Sequence, residues 1–293
     1  MSGTAVPFRI GARTLLSVRR DLVRVALSLD AALAGHVPPL PPAGGDGYLV
    51  TSLPASRLGE VDAAGRLIAV RQRYMRYHAD LTIGHDRWHA GLSRSARATL
   101  ARKCRRAAAA GVEIRAYRTP QELGAFHPIA QAVSATTYQA RLLDAGWPCD
   151  AVSLAGLHAL AAADGLRAWA LLVRGAPAAY LCCTAEGATL RYEHVGHDPA
   201  FGALSPGVVL QAAAMRALFK DRFACLDFTE GEGQHKRLFA TASVACADLL
   251  VLRPTMSNRV LLAALAAFDG GVAAAKRATR HPRLAPLTRR LRR

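Results

Sequence analysis

The sequence lacks several features that would assign it to an obvious class. It has no apolar run of about 20 residues, the length that a membrane-spanning helix needs, and its first residues do not have the charged start and apolar core typical of a secretory signal. The six cysteines include no Cys-x-x-Cys pair, so neither a zinc ligand set nor a redox motif is indicated. Cysteines used as small buried side chains predict a reduced, cytoplasmic location.

The composition is that of a globular protein. The chain has 293 residues, 52% of them hydrophobic and 20% charged, a balance that excludes wholesale disorder. That length suits one large domain or a domain with a smaller additional half, and it is ample for a hydrophobic core.

Acidic residues are missing from two strongly basic segments, although the net charge of the chain is +17. Residues 94–106 contain six basic side chains and no acid, and residues 276–293 contain eight and no acid. In the simplest interpretation, these basic segments are solvated surfaces. An alternative interpretation is that they bind anionic lipid, since residues 276–293 follow the apolar residues Leu261, Leu262, Leu265 and Phe268. Nucleic acid is less favoured, because residues 276–293 contain no Phe, Trp or Tyr to stack on bases.

The N-terminal third predicts a mixture of helix and strand. Apolar and arginine residues alternate irregularly over the first forty residues, which we interpret as an Arg-rich helix, and the Pro- and Gly-rich stretch 38–45 predicts a linker. Tyr48 to Leu53 and Arg66 to Tyr74 have the composition of strands. A basic helix is expected from Ser93 to Gly111, where glycine suits the C-terminal cap.

After Gly111 the order of elements is clearer. We expect a strand, a helix beginning at Thr119 and a helix from Asp150 to Ala163. Three strands with tight turns, a helix at Ser205, a strand, a short helix near Gly233 and a final strand follow. The predicted fold class is α/β, with a mixed, mostly antiparallel sheet flanked by helices.

The helix at Ser205 begins like an anion-binding site. Ser205 suits the N-cap and Pro206 the first helical position, where a missing N–H costs nothing. Gly207 would allow a ligand to approach the backbone closely. The amides of Gly207, Val208 and Val209 are then expected to be free at the positive end of the helix dipole, where phosphate binds well.

The order of elements and four motifs resemble the CelD-like acetyltransferases, a family linked to bacterial polysaccharide synthesis. The motifs are Ala178-Ala179-Tyr180, Gly196-His197-Asp198-Pro199-Ala200-Phe201, Leu204-Ser205-Pro206-Gly207 and Asp227-Phe228-Thr229-Glu230-Gly231-Glu232, and Ser93-Arg94-Ser95-Ala96-Arg97 is similar to the family's Ser/Arg-rich helix. The resemblance implies the GNAT (acyl-CoA N-acyltransferase) fold in residues 93–255. Residues 1–92 would form an N-terminal α/β extension or partial GNAT-like half, and 256–293 a basic C-terminal helical tail.

The resemblance also implies a donor site. In that fold the carrier lies between two strands that separate, here Ala188–Val195 and Ala224–Thr229, and its pyrophosphate meets Ser205, Gly207, Val208 and Val209. The expected co-substrate is acetyl-CoA or another acyl-CoA, with no metal. The usual Gln/Arg-x-x-Gly-x-Gly/Ala turn is absent, however, and residues 202–207 stand in its place. Fem-type transferases, which use aminoacyl-tRNA on a similar fold, are therefore an alternative.

Three residues are candidates for proton transfer and two for substrate binding. Glu193 lies on the strand expected to border the acyl groove, so we predict it to be the general base, and His235 to be the acid that protonates the thiolate. Asp227 either lines the groove or pairs at the sheet edge. Glu230 and Lys236 are candidates for binding the acceptor, although both lie in a segment that a polar surface loop would explain equally well. His85 and His89 have no accompanying ligand motif, so no metal site is predicted.

The predicted function is N-acyl transfer, most simply N-acetyl transfer, to an amine of a sugar, polyamine or small metabolite by direct attack in a ternary complex. The alternatives are a Fem-like aminoacyl-tRNA-dependent transferase and a non-catalytic GNAT-like adaptor at an anionic membrane or nucleic-acid surface.

Overall fold

The computed structural model describes residues 4–10, 13–42, 45–61, 65–136, 146–231 and 233–280, and most of its strands join one nine-stranded sheet. The strands are β1 (Thr4–Ile10), β2 (Arg13–Arg20), β3 (Leu22–Ala26), β4 (Gly47–Pro54), β5 (Leu67–Asp80), β6 (Val112–Tyr117), β7 (Leu166–Val173), β8 (Ala176–Glu186), β9 (Thr189–His197), β10 (Cys225–Asp227) and β11 (Ala242–Leu252). The order in the sheet is β3-β4-β11-β5-β10-β9-β8-β7-β6, while β1 and β2 form a separate hairpin. The pairs β3–β4 and β9–β10 are parallel and the other pairs are antiparallel. The predicted mixed, mostly antiparallel sheet is confirmed.

The helices follow the predicted order beyond residue 92, whereas the helix over His85–Gly91 was not predicted. They are α1 (Leu29–Leu33), α2 (His85–Gly91), α3 (Arg94–Ala109), α4 (Pro120–Thr136), α5 (Ala151–Ala162), α6 (Pro206–Leu218), α7 (Gln234–Phe239) and α8 (Met256–Arg280). Side-chain caps fix two of the starts, because Ser93 accepts a hydrogen bond from the Ala96 amide and Asp150 from the Ser153 amide.

The first forty residues do not form the predicted helix. They form the β1–β2 hairpin, in which Val6 pairs with Val18 and Phe8 with Leu16, then β3 and one short helix. Val6 and Phe8 are buried, whereas their neighbours Ala5 and Arg9 are exposed. This period of two is that of a strand, and the frequent arginines obscured it in the sequence.

The N-terminal and C-terminal segments share a single sheet. Strand β5 lies between β10 and β11, and β11 also pairs with β4. The boundary expected at residue 92 therefore does not separate two sheets.

Each face of the sheet has its own core. Phe228, Met215 and Trp88 belong to the cluster beneath α2, α3, α6 and α7, whereas Phe126 and Trp147 belong to the cluster beneath α4 and α5. The neighbouring cysteines of β8 divide between these clusters, Cys183 in the first and Cys182 in the second. The two side chains therefore point to opposite faces of the strand.

Helix α8 packs along the N-terminal hairpin. Leu261 and Leu265 are buried, Leu262 packs beside them, and the ring of Phe268 lies edge-on to Phe8 with the ring centroids 5.4 Å apart. The lipid interpretation cited these apolar residues because they precede the basic tail, and in the structure they pack against the hairpin. By length and composition alone, the stretch Met256–Ala275 could cross a membrane, which the sequence analysis did not predict.

Candidate functional site

Strands β9 and β10 share a short ladder and then separate. They pair in parallel over three residues, of which the last is Asp227 opposite Arg191. Beyond this pair β10 ends, while β9 continues to His197. The backbone groups of β9 that would have faced β10 border an open gap, as the resemblance implied.

A cleft of about 540 Å³ occupies this region. Its walls are the outer half of β9, the turn that follows it, the first turn of α6, part of β8 and the start of α7. The lining side chains and backbone come from Tyr180, Leu181, Tyr192, Val195, Gly196, His197, Pro199, Gly202, Ser205, Pro206, Gly207, Val208, Leu210, Gln211 and His235. A concave, mostly apolar site with a few polar groups is the usual form of a small-molecule site.

The start of α6 differs from the predicted cap. Ser205 has a left-handed backbone, with φ 53° and ψ 53°, and no capping hydrogen bond of its side chain is present in the described part of the chain. Its carbonyl oxygen instead accepts hydrogen bonds from the amides of Val208 at 3.0 Å and Val209 at 3.2 Å. Those two amides are therefore not free, and the Val209 side chain is buried in the core instead of lining the cleft.

Gly207 lies on open surface at the start of α6. A Cβ atom at this position would meet no atom of the described residues within 4 Å, so the surface here is open to a ligand. Its amide is at the positive end of a 13-residue helix. Ser205, Gly207 and Val208 therefore lie together at the mouth of the cleft, with Val209 behind them.

His235 is also in the cleft, on α7. Its ring lies beside that of Tyr192, with the centroids 6.2 Å apart. Burial lowers the pKa of His235 below its ordinary value, and the charge of Lys236 lowers it further. The imidazole is therefore neutral at pH 7. A neutral imidazole is better suited to act as a base than as the predicted acid that protonates the thiolate.

Two further cleft residues were not predicted from the sequence. The ring of Tyr192 packs on Phe228 at 5.6 Å, and burial raises the pKa of its hydroxyl, so the group stays protonated and can donate a hydrogen bond. Gln211 is 2% exposed, and its Nε2 has no partner in the part of the chain that the structure describes. Its position one turn after Gly207 was the signal that could have identified it, because residues four apart share a helix face.

Glu193 occupies a β-bulge on β9. The residues on either side, Tyr192 and His194, pair with Cys183 and Cys182, so Glu193 is the extra residue. The Thr184 hydroxyl donates a hydrogen bond to its carboxylate at 2.5 Å, and Arg191 lies 3.4 Å from it. Within the described residues, Glu193 is not among those that line the cleft.

Asp227 forms an ion pair, which is one of the two alternatives expected for it, and Lys236 has structural partners in place of the expected acceptor. Arg76 binds the Asp227 carboxylate through two hydrogen bonds of 3.2 and 2.6 Å, and both side chains are almost completely buried. Lys236 is buried as well, and its Nζ donates to the carbonyl oxygens of Thr229 and Glu230. A carboxylate and an ammonium engaged in this way hold the turn after β10 and are poorly placed to act on a substrate.

Glu230 lines a different cavity, of about 410 Å³, between the N-terminal hairpin and the sheet. The structure therefore places His235, Ser205, Gly207 and Val208 in one cleft and leaves Glu230 outside it. Throughout the described ranges, no group of three or more His, Cys, Asp or Glu side chains is arranged to hold a metal ion.

Comparison with known sequences identifies the domain that contains this cleft. Residues 94–237 match the family described as the acetyltransferase (GNAT) domain. The chain therefore carries a GNAT acyltransferase domain. The matched residues include β9, the α6 start, β10 and His235. No sequence among the curated proteins is significantly similar to the chain.

Solved structures show the same fold at low sequence identity. The C-terminal domain ascribed to a lysylphosphatidylglycerol synthetase of Agrobacterium fabrum is 11% identical, with a TM-score of 0.52 over 73% of this chain and 70% of that chain. L-PGS from Bacillus licheniformis is 11% identical, with a TM-score of 0.50 over 74% of this chain and 71% of that chain. FemX is 10% identical, with a TM-score of 0.46 over 69% and 71%. At such identities the first two establish similarity of fold alone.

Proposed function

We propose that the protein is an N-acyltransferase that moves an acyl group from an acyl-CoA to a primary amine. The observation that carries the proposal is the cleft beside the part of β9 that continues beyond the end of β10. The first turn of α6 forms one side of this cleft, and the outer half of β9 forms another. The pyrophosphate of CoA would meet the Gly207 amide and the helix dipole. The amides of the pantetheine arm would pair with backbone groups of β9, as an added strand does.

The reaction needs one proton to leave the acceptor nitrogen before attack and one proton to be delivered to the leaving thiolate. The nitrogen of the neutral amine attacks the thioester carbonyl, the carbon–sulfur bond breaks, and the products are an amide and the CoA thiol. His235, neutral at pH 7 and in the cleft, takes one proton from the ammonium form of the acceptor, and the neutral amine that results is the nucleophile. The proton on the attacking nitrogen is the source of the one that the leaving thiolate gains. The protonated hydroxyl of Tyr192 donates a hydrogen bond in the same cleft.

Helix α3 favours a strongly anionic donor. It packs against α6 and the turn before it, and it presents four arginines outward, Arg94, Arg102, Arg105 and Arg106. A positive field near the mouth of the cleft raises the local concentration of an anionic ligand. This field suits CoA, which carries three phosphates, and it also suits the second candidate, transfer from an aminoacyl-tRNA.

Gly207 offers a direct test of the donor site. In Gly207→Val the new side chain meets open space instead of protein, so the fold is preserved while the place of the pyrophosphate is filled. We expect acetyl-CoA binding, measured by isothermal titration calorimetry, to weaken at least about 100-fold, since a blocked helix N-terminus removes the charge-assisted hydrogen bonds of the phosphate.

The control for that test is Gly156→Val. Gly156 is exposed on α5, and a Cβ atom there also has no described atom within 4 Å. This variant should bind acetyl-CoA like the wild type. Unchanged affinity in Gly207→Val would contradict the assignment of the donor site. A wild-type protein that binds no acyl-CoA but accepts an aminoacyl group from tRNA would support the Fem-like candidate, and one that binds neither would support the adaptor.

A further inference from the structure

We propose that the cavity between the N-terminal hairpin and the sheet is the acceptor site, and that it takes an amine that also carries a carboxylate, as an amino acid does. The inference rests on the proposed function, because it names the substrate class for that reaction. The observation behind it is a pair of opposite charges, Arg24 and Glu230, that face the cavity without pairing with each other.

The cavity has a volume of about 410 Å³ and is built by elements from both ends of the chain. Its walls come from β1, β3, β4, β5, β11 and α8. Unlike the donor cleft, it is lined mainly by polar and charged side chains, among them Arg24, Arg71, Gln72, Glu230, Asp248 and Asp269. A volume of this size accommodates a small metabolite.

Most of the charged groups in this cavity already have partners. Asp248 accepts hydrogen bonds from the Ser52 amide at 2.9 Å, the Tyr74 hydroxyl at 3.0 Å and Gln72 Nε2 at 2.6 Å. Arg71 pairs with Asp269 at 3.0 Å. Asp248, Arg71 and Asp269 are therefore part of the wall.

Arg24 and Glu230 are different. Both residues are exposed to solvent, and among the residues that the structure describes neither side chain forms a hydrogen bond or an ion pair. Partial desolvation raises the pKa of Glu230 and the negative charge of Asp248 raises it further, whereas the positive charge of Arg24 lowers it. A cationic group placed between these two carboxylates would relieve that repulsion, so the site is suited to an ammonium group.

The position of Glu230 connects this cavity to the donor cleft. Glu230 comes three residues after the end of β10, and its charge also interacts with Arg191 on β9. Arg191 and Asp227 form the last pair of the β9–β10 ladder, where the two strands begin to separate. Glu230 therefore comes three residues after the point where the two strands separate, which joins the proposed acceptor site to the donor cleft along the chain.

The two free charges specify the acceptor. Glu230 can accept hydrogen bonds from an ammonium group and so place the amine, and Arg24 presents a planar fork that binds a carboxylate through two parallel hydrogen bonds. A simple amine without an acidic group would leave Arg24 unpaired. The same site should therefore discriminate an amino acid from its decarboxylated counterpart.

The test compares acetylation of each proteinogenic amino acid with that of the amine lacking its carboxylate, using acetyl-CoA as donor. The wild type should prefer at least one amino acid to its decarboxylated form. In Arg24→Gln, kcat/KM for that amino acid should fall about 10- to 100-fold, the loss expected for charge-assisted hydrogen bonds. Turnover of the decarboxylated amine should stay within about threefold of the wild type, since it never contacts Arg24.

Two further variants complete the test. Glu230→Gln should lower kcat/KM for both compounds, because both carry the amine. Arg259→Gln removes an exposed arginine at the start of α8 and should change neither. Equal losses for both compounds in Arg24→Gln would overturn the proposal. So would the failure of every amino acid to be acetylated by protein that binds acetyl-CoA. Protein that binds no acetyl-CoA would instead refute the proposed function itself.

Discussion

The ion pair of Arg76 and Asp227 lies where the donor cleft begins, and breaking it is a sharp test of its structural role. In Asp227→Ala, the Arg76 guanidinium loses two hydrogen bonds in a site where that side chain is 4% exposed. The Thr229 amide loses its bond of 2.8 Å to the same carboxylate. Water cannot easily replace these partners, because the Asp227 side chain is fully buried.

The expected cost follows from that burial. Removing one partner of a buried ion pair typically destabilises a protein by about 3–5 kcal/mol, because the remaining charge is buried without compensation. A domain is stable by about 5–15 kcal/mol in total, so the change consumes a large part of the stability. We expect the urea midpoint of Asp227→Ala to fall accordingly, measured by far-ultraviolet circular dichroism at an unchanged m value.

An exposed glutamate provides the control. Glu60 pairs with Arg57 at 2.7 Å, and the two side chains are 52% and 43% exposed. Solvent screens this pair, so Glu60→Ala should cost at most about 1 kcal/mol. The double variant Arg76→Met with Asp227→Leu should recover much of the loss, since apolar pairs often replace buried ion pairs. A loss below about 1 kcal/mol in Asp227→Ala would refute the reasoning and return Asp227 to the catalytic candidates.

Three other outcomes are expected. Burial lowers the pKa of His78, His194 and His235, so near pH 6 the unfolded chain binds more protons than the folded one. The urea midpoint of unfolding should therefore fall as the pH drops through 6.5, and it should fall less steeply in His194→Phe. The rate of single-turnover acyl transfer should rise with pH through a pKa below 6.5. His235→Asn should abolish this pH dependence and slow transfer about 100- to 10,000-fold. If the pH dependence remains, the base is another residue, and Glu193→Gln is the next variant to measure. The lipid interpretation of the basic tail predicts that removing residues 281–293 weakens binding to anionic vesicles at low salt. The interpretation is contradicted if neither the full-length nor the shortened protein binds such vesicles.

The fold could be predicted best where local chemistry sets the elements. From Gly111 onwards, caps, turn glycines and strand composition gave the correct order, because each signal lies within a few residues of the element it controls. The N-terminal hairpin was missed, since arginines at both faces of β2 hide its period of two. Its packing against α8, which is 237 residues away in sequence at the contact of Arg20 with Ser257, has no local signal.

The candidate site was predictable only in part. Gly207 was expected in the site because it belongs to a recognisable motif at a helix start, and His235 because it follows the strand expected to border the groove. The left-handed backbone of Ser205 was not, since it depends on how the preceding turn packs. The burial of Asp227 could not be read from the sequence either, because its partner Arg76 is 151 residues away on β5.

The short length of β10 links the two proposed sites. A longer strand would continue its ladder with β9 and close the donor cleft, because paired backbone groups are not available to a ligand. The strand ends at Asp227, whose carboxylate binds the amide of Thr229, and Thr229 has a φ of 59° that turns the chain away from the sheet. Lys236 then holds the carbonyl oxygens of Thr229 and Glu230. The same turn that opens the gap for the donor therefore directs Glu230 towards the second cavity, so the position of the acceptor amine and the separation of the strands depend on one set of buried contacts.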